Sequence, residues 1–223
     1  MIFDTYSYRK KLFCAETPVV KYDLCYPFVR KSRHADMLNT YNRRFIDKIV
    51  ADSSPKLYKD VVKQHKTLVM YNSFTSFDVK NNFNVMFSNE KILSIFWDFY
   101  VEMGASCFIM HRVAHNWALD RGKMIPLQSI FCRNCDWRSS LVSNLRREVS
   151  SFEKEMGISC FARWEEVLAR SLDESKYYIS DNGLVIYCPQ GSIASDLWGI
   201  PSFLVPFSEV ESILDKKFAE SLQ

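Results

Sequence analysis

The sequence predicts an α+β fold, a twisted and mainly antiparallel sheet backed by helices. Three observations predict it. Between residues 83 and 119, large apolar side chains alternate with polar ones at period two, and the connections between these runs are too short for parallel crossovers. Residues 34–66 and 137–170 repeat apolar side chains three and four apart, the spacing of amphipathic helices. From Tyr177 to Tyr187, two aromatic and β-branched runs flank Asp181-Asn182-Gly183, and a third apolar run follows from Phe203 to Phe207. Asn-Gly between such runs is the strongest short-range hairpin signal, because glycine accepts positive φ without a Cβ penalty.

The elements follow in order. Residues 2–13 read as a strand with aromatic bias (Phe3, Tyr6, Tyr8, Phe13), and Val19 to Val29 as a second, joined around Ala15 to Thr17. Asp23 and Pro27 predict irregularity or an edge in that second strand. Met37, Leu38, Tyr41, Phe45 and Ile49 form a helical stripe with Ser32 as cap. Ser54-Pro55 predicts a fresh helix start, since proline at the first helical position loses no hydrogen bond. Strands are expected over Thr67 to Asp78, Phe83 to Phe87, Ile92 to Met103 and Cys107 to Leu119, with one face buried. Asp136 should cap a helix carrying Leu141, Leu145, Val149 and Phe152, with Gly157 in the left-handed position after it. Ser159 opens a shorter helix through Trp164 and Leu168, and Ser208 with Glu211 fits a capping box. The organisation is bipartite: a small N-terminal α/β lobe at 1–66, and a 67–223 region of antiparallel sheet, helix pair and terminal β-hairpin.

Composition excludes several classes. The 29 basic and 26 acidic residues leave a net charge of +3, too near balance for a nucleic-acid partner. No eighteen-residue apolar stretch is present, so no membrane span is expected. The first dozen residues hold Asp4, Arg9, Lys10 and Lys11 instead of an apolar export core, which reads as cytoplasmic; removal of an export signal or anchor would make the chain extracytoplasmic. The seven cysteines are odd in number and scattered, the pattern of mostly buried free thiols.

No catalytic constellation, metal site or cofactor motif stands out. His111 and His115 share one face of a strand but lie about 13 Å apart, too far for one metal. Cys132-Arg-Asn-Cys135 is a single Cys-x-x-Cys without the second pair that zinc needs. It reads as two structural thiols, or as a redox dithiol if a helix N-terminus stabilises the thiolate. The loop from Pro189 to Pro201 places Ile193, Leu197 and Trp198 among polar residues. Trp198 and Tyr187 are rigid aromatic anchors of the kind used at interfaces, or else cover the sheet.

Several motifs point to a known family. Trp117-Ala118-Leu119-Asp120-Arg121-Gly122 and Leu127-Gln128-Ser129-Ile130-Phe131 are followed by Tyr177 to Tyr187, Ile193-Ala194, Gly199-Ile200 and Val205-Pro206-Phe207 at characteristic intervals. This pattern resembles a bacterial domain of formerly unknown function. That domain occurs in the extracytoplasmic part of the anti-sigma-V factor, a membrane-bound lysozyme sensor, and beside the catalytic domain of some peptidoglycan deacetylases. Tyr26-Pro27 ahead of the first helix resembles the small domain that usually precedes it. Gly104-Ala105-Ser106-Cys107 departs from the family's Gly-Gly-Ala-His, so that histidine's role does not carry over. The resemblance implies a non-catalytic binding or sensory module for a protein or cell-wall-related ligand. Its sites would lie in loops at 105–116 and 189–201, through His111, His115, Tyr187, Ile193, Leu197 and Trp198. The competing class is an enzyme, thiol-dependent through Cys132 and Cys135 or of unspecified chemistry.

Overall fold

The computed structural model describes residues 1–68, 75–103 and 108–223, and they form an α+β fold. The expected strand at Thr67 to Asp78 and the motif Gly104 to Cys107 therefore fall partly or wholly outside the described residues. Among the described residues, nine strands make two sheets: a six-stranded one in the order β1-β2-β3-β4-β5-β6, and a three-stranded one in the order β7-β8-β9. Contacts group the chain into two units, Met1–Phe83 with Trp97–Met110, and Asn84–Phe96 with His111–Gln223. The sequence reading drew its line near residue 66; the contacts divide β3 (Phe77–Ser88), β4 (Ile92–Met103) and β5 (Phe108–Ala118) between the units.

In the first unit, β1 (Phe3–Cys14) and β2 (Thr17–Val29) pair antiparallel from Phe3 opposite Val29 to Cys14 opposite Thr17. Ala15 turns the chain with a φ of 51°. The outer strand is β1, yet β2 is irregular as expected: its ladder with β1 slips between Leu12 and Phe13, and its ladder with β3 ends before Pro27. Strand β2 pairs parallel with β3 only from Val20 to Asp23, and Pro27, which has no N–H, lies beyond that ladder. Its carbonyl accepts from Asn42 Nδ2 at 2.9 Å instead.

A parallel pair needs a long crossover, and α1 (Ala35–Leu68) supplies it. The restart expected at Ser54-Pro55 does not occur, because α1 runs through Pro55 without a break. Proline removes a donor from a helix interior, so the neighbouring turn must be held by other bonds. Ser53 Oγ donates to the Ile49 carbonyl and Ser54 Oγ to the Val50 carbonyl, and both hydroxyls lie 3.0 Å from the Tyr22 hydroxyl. Tertiary contact thus overrides the local stop signal. Leu38, Ile46, Val50 and Val61 bury the inner face of α1, and Phe45 packs against Trp97 at 5.1 Å.

β3 runs unbroken from Phe77 to Ser88, joining the end of the strand expected at Thr67 to Asp78 to the one expected at Phe83 to Phe87, while Thr67 and Leu68 belong to α1. Asn89 Oδ1 accepts from the backbone N–H groups of Lys91 and Ile92, shaping the turn into β4. The first eight residues of β4 are buried on both faces, where one buried face was expected. β6 (Lys123–Met124) closes the other edge of the large sheet.

α2 (Trp137–Met156) starts where expected: the Asp136 carboxylate accepts from Ser139 N–H at 3.1 Å, and its bonds to Ser139 hold its pKa below the usual carboxylate value. Gly157 ends it at φ 64°. α3 (Trp164–Asp173) begins five residues after the expected Ser159. Cys160 N–H is taken by Glu153 Oε1 and Phe161 N–H by the Ile193 carbonyl, so residues 160 and 161 bond outward instead of opening a helix.

β7 (Tyr177–Ser180), β8 (Gly183–Tyr187) and β9 (Ser202–Pro206) pair antiparallel in succession. This small sheet is a central layer. Tyr177, Ile179, Ile186 and Val205 pack with Leu141, Leu145 and Val149 of α2 and Leu168 and Leu172 of α3. Tyr178, Val185 and Tyr187 form a second cluster with Phe96 of β4. A buried polar bridge ties the layers together. Ser94 Oγ donates to Asn116 Oδ1 at 2.7 Å, Asn116 Nδ2 donates to the Tyr177 carbonyl at 3.0 Å, and Ile179 N–H donates to Ser94 Oγ at 2.9 Å. Asn116→Ala strands the Tyr177 carbonyl and the Ser94 hydroxyl in the interior. It is expected to cost about 2 kcal/mol, read as a lower urea midpoint at unchanged m-value.

The capping box at Ser208 does not form. α4 (Phe207–Val210) starts one residue earlier, with Pro206 at its cap and no side-chain capping bond. α5 (Lys216–Ser221), absent from the sequence reading, is capped by Asp215, whose carboxylate accepts from Lys217 and Phe218 N–H. Its six residues are too short for a periodic signal.

Candidate binding site

Pro189 to Pro201 leaves the end of β8 and returns as β9, so both ends of the loop are anchored in the small sheet. Gly191 and Gly199 take φ of 67° and 69°, a conformation that side chains with a Cβ resist. Asp196–Trp198 forms one 3-10 turn, with the Ser195 hydroxyl accepting from Leu197 N–H. Gln190 Nε2 donates to the Asp196 carbonyl at 3.0 Å across the loop, and Ser192 Oγ donates to the Pro189 carbonyl. The loop is therefore ordered by its own polar groups.

Its three apolar residues have different fates. Ile193 is fully buried in the core and anchors the loop. Trp198 is half-buried, edge-on to Phe152 of α2 at 6.2 Å. Leu197 is 93% exposed. Two further large apolar side chains are exposed nearby in the chain path: Met156, one turn past Phe152, and Phe161, whose N–H donates to the Ile193 carbonyl at 2.7 Å. Periodicity places Met156 on the apolar stripe of the first of these helices and Phe161 on that of the second, but Met156 is the last residue of α2 and Phe161 precedes α3, so both are left exposed.

The other expected binding residues lie elsewhere. Tyr187 is buried against Tyr178. The Arg112 guanidinium lies 4.1 Å from the Phe96 ring centre and 5.8 Å from those of Tyr178 and Tyr187, and Nη1 donates to Ser202 Oγ at 2.9 Å. That cation–π stack went unread, because Arg112 falls on the polar parity of its strand. His111 and His115 lie in β5, as the strand expected over Cys107 to Leu119 places them, so the binding loop drawn at 105–116 is strand from Phe108 onward. His111 is exposed, and His115 is buried, with burial lowering its pKa to about 4.

Cys132 and Cys135 are joined as a disulfide, not held as two separate structural thiols. The pair precedes α2 and pins the C-terminal segment: Cys132 N–H donates to the Ile213 carbonyl at 2.9 Å, and Phe131 bridges Leu214. Cys135 Sγ lies 2.9 Å from the Cys132 carbonyl oxygen. Of the free thiols, Cys160 is pushed up to about 11 by burial and by Glu153, and burial raises Cys25 and Cys188 as well. Such thiols are poor nucleophiles at neutral pH. Among the described residues, no group of three or more His, Cys, Asp or Glu side chains is placed to hold a metal ion. None of the described helices is long and apolar enough to cross a membrane.

No curated protein matches the chain. Solved structures do, two of them from one family. One is a member of the DUF3298 family from Bacteroides fragilis NCTC 9343, 14% identical, with a TM-score of 0.65 over 99% of this chain and 96% of that one. The other is a DUF3298 family protein from Pseudomonas aeruginosa PAO1, 12% identical, with a TM-score of 0.57 over 98% of this chain and 97% of that one. At these identities the likeness is one of fold. Residues 150–208, from the last turns of α2 through β9 into α4, match the family described as "Protein of unknown function (DUF3298)", and the fold around them is the one these two proteins of that family share.

Proposed function

We propose that the chain is a non-catalytic binding or sensory module that recognises a protein or cell-envelope-related ligand through the 189–201 loop. The observation that carries this reading is Leu197, 93% exposed on a turn held by hydrogen bonds on both sides. An apolar side chain fixed in water gains free energy only when a partner covers it, and a pre-ordered loop loses little entropy on docking. Trp198 beside it is half-buried against Phe152, and exposed Phe161 is tied to the same loop by its N–H bond to the Ile193 carbonyl. The resemblance to envelope-sensor and deacetylase accessory domains supports an envelope ligand. A disulfide at Cys132 and Cys135 fits an oxidising, extracytoplasmic setting better than a reducing one. The thiol-dependent enzyme is the weaker reading, because carbonyl oxygens beside Cys135 Sγ do not stabilise a thiolate.

The test is retention of envelope and cytosolic fractions on immobilised wild-type protein and on Leu197→Asp. An envelope component held by the wild type and released at least tenfold by Leu197→Asp, with thermal stability unchanged, is the expected result. Retention that ignores Leu197, or a turnover activity abolished by Cys135→Ser, would refute the proposal.

A further inference from the structure

A recess lies within the second unit, formed by the β5–β6 turn, the start of β4 and α5, with a volume of about 640 Å³. Its lining is two-natured. Ile92, Met124, Ile125 and Phe218 supply apolar wall, while Lys91, Arg121, Lys123 and Lys217 stand against Asp120, Asp215 and Glu220. Two of those carboxylates already have partners. Asp120 pairs with Arg121 at 3.5 Å, and Asp215 accepts from Lys217 and Phe218 N–H. Lys91 Nζ donates to the Glu220 carbonyl at 2.8 Å. The Lys123 and Lys217 side chains are exposed, and neither is ion-paired with a described carboxylate.

The walls are fixed before any ligand arrives. Asn89 Nδ2 donates to the Ser221 carbonyl at 2.8 Å, Leu119 N–H to the Lys91 carbonyl at 2.8 Å, and Asp215 N–H to the Ile130 carbonyl at 2.8 Å. The Tyr177 hydroxyl donates to the Ile125 carbonyl at 2.5 Å. These bonds tie the turn before β4 to α5, the residue after β5 to Lys91, the cap of α5 to Ile130 and the segment after β6 to β7, so the recess does not need the ligand to assemble it. Its volume lies in the range of small-molecule sites, which combine apolar walls with a few placed polar groups.

We propose that this recess binds an anion-headed amphiphile, with the apolar body against Ile92, Met124 and Phe218 and a single carboxylate or phosphate head between the Lys123 and Lys217 ammonium groups. The lining carries four cations, Lys91, Arg121, Lys123 and Lys217, against three carboxylates, Asp120, Asp215 and Glu220, so its net charge is positive while its wall is apolar; an apolar ligand would leave the lysines unanswered and a small polar anion would leave the wall wet. Lysine presents a compact point charge that suits either head, and Arg121, the planar fork of the set, is already held by Asp120. The site is independent of the 189–201 loop.

Calorimetric titration of the full chain tests it, with octanoate and octyl phosphate as probes and octanol and acetate as controls, all below micelle concentrations. Saturable 1:1 binding of octanoate or octyl phosphate is expected, with octanol and acetate at least tenfold weaker. The tighter of the two heads identifies the anion. Lys123→Ala/Lys217→Ala should weaken binding about tenfold; both side chains are exposed, so circular dichroism should show an unaltered fold. Octanol binding as tightly as octanoate, insensitivity to the double substitution, or no binding of either anion would each overturn the proposal. Leu197→Asp should leave this titration unchanged, which separates a failure here from a failure of the loop reading.

Discussion

Gly183→Ala is expected to destabilise the protein by about 3 kcal/mol, the upper end of ordinary overpacking. A Cβ built on Gly183 would lie 2.2 Å from the Val205 carbonyl oxygen and 2.9 Å from Pro206 Cα. Both are backbone atoms of β9, held in register where Gly183 opposes Pro206, so neither can swing aside as a side-chain tip would. Relief requires β9 to part from β8, and β9 carries the fully buried Val205 and the nearly buried Phe203. The turn itself is not the cause. Asp181 and Asn182 connect the strands, and positive φ is absent from them and from Gly183 among the described residues. Urea denaturation of Gly183→Ala beside Asn182→Gly separates the two explanations. A loss below about 1 kcal/mol in Gly183→Ala, or a larger loss in Asn182→Gly, would contradict the close-approach account.

Acid should unfold the protein partly through His115. Burial lowers its pKa from 6.5 to about 4 in the fold, so the folded state keeps the ring neutral while the unfolded chain protonates. The sign follows from proton counts. Above 6.5 neither state binds the proton and the contribution is complete; between 6.5 and about 4 the unfolded state binds more protons, so stability falls as pH falls; below about 4 both are protonated and the loss levels off. The full effect corresponds to about 3 kcal/mol. Denaturation midpoints of wild type and His115→Leu at pH 7.5, 5.5 and 4 measure it. The pH dependence of His115→Leu should be shallower by about that amount, and parallel curves for the two proteins would remove His115 from the explanation. A histidine so enclosed serves the interior, whereas exposed His111 on the same strand is open to solvent.

Where one local signal acted alone, the sequence was a good guide. Asp136 and Gly157 bracket α2 as their chemistry requires, and the hairpin lies where Asn182-Gly183 placed it. The reason for that glycine was misread, because the approach of β9 is a tertiary fact that no pair of adjacent residues carries. Pro55 misled for the same reason: its local meaning is a stop, and the Tyr22 hydroxyl that sits against Ser53 and Ser54 comes from a strand thirty-one residues away. The burial of β4 on both faces was hidden because alternation reveals one covering layer, not two. At the loop, residue type marked Ile193, Leu197 and Trp198 together, but nothing in their spacing distinguishes the anchor from the exposed tip. Arg112 was invisible for a related reason, since a cation on the polar parity of a strand reads as solvent-facing until aromatic rings from β4, β7 and β8 close around it.

The position of β1 has a consequence for behaviour in crowded solution. An outer strand with free backbone groups is a template onto which another molecule can extend the ladder, the first step toward fibrillar growth. Here that strand carries Arg9, Lys10 and Lys11 in succession, all exposed; Arg9 is paired with Asp23, and a second copy docking against the strand would bring Lys10 and Lys11 up against like cations. At the opposite margin β6 is two residues long, too short to seed such growth. The large sheet therefore guards both of its margins, one by repulsion and one by brevity.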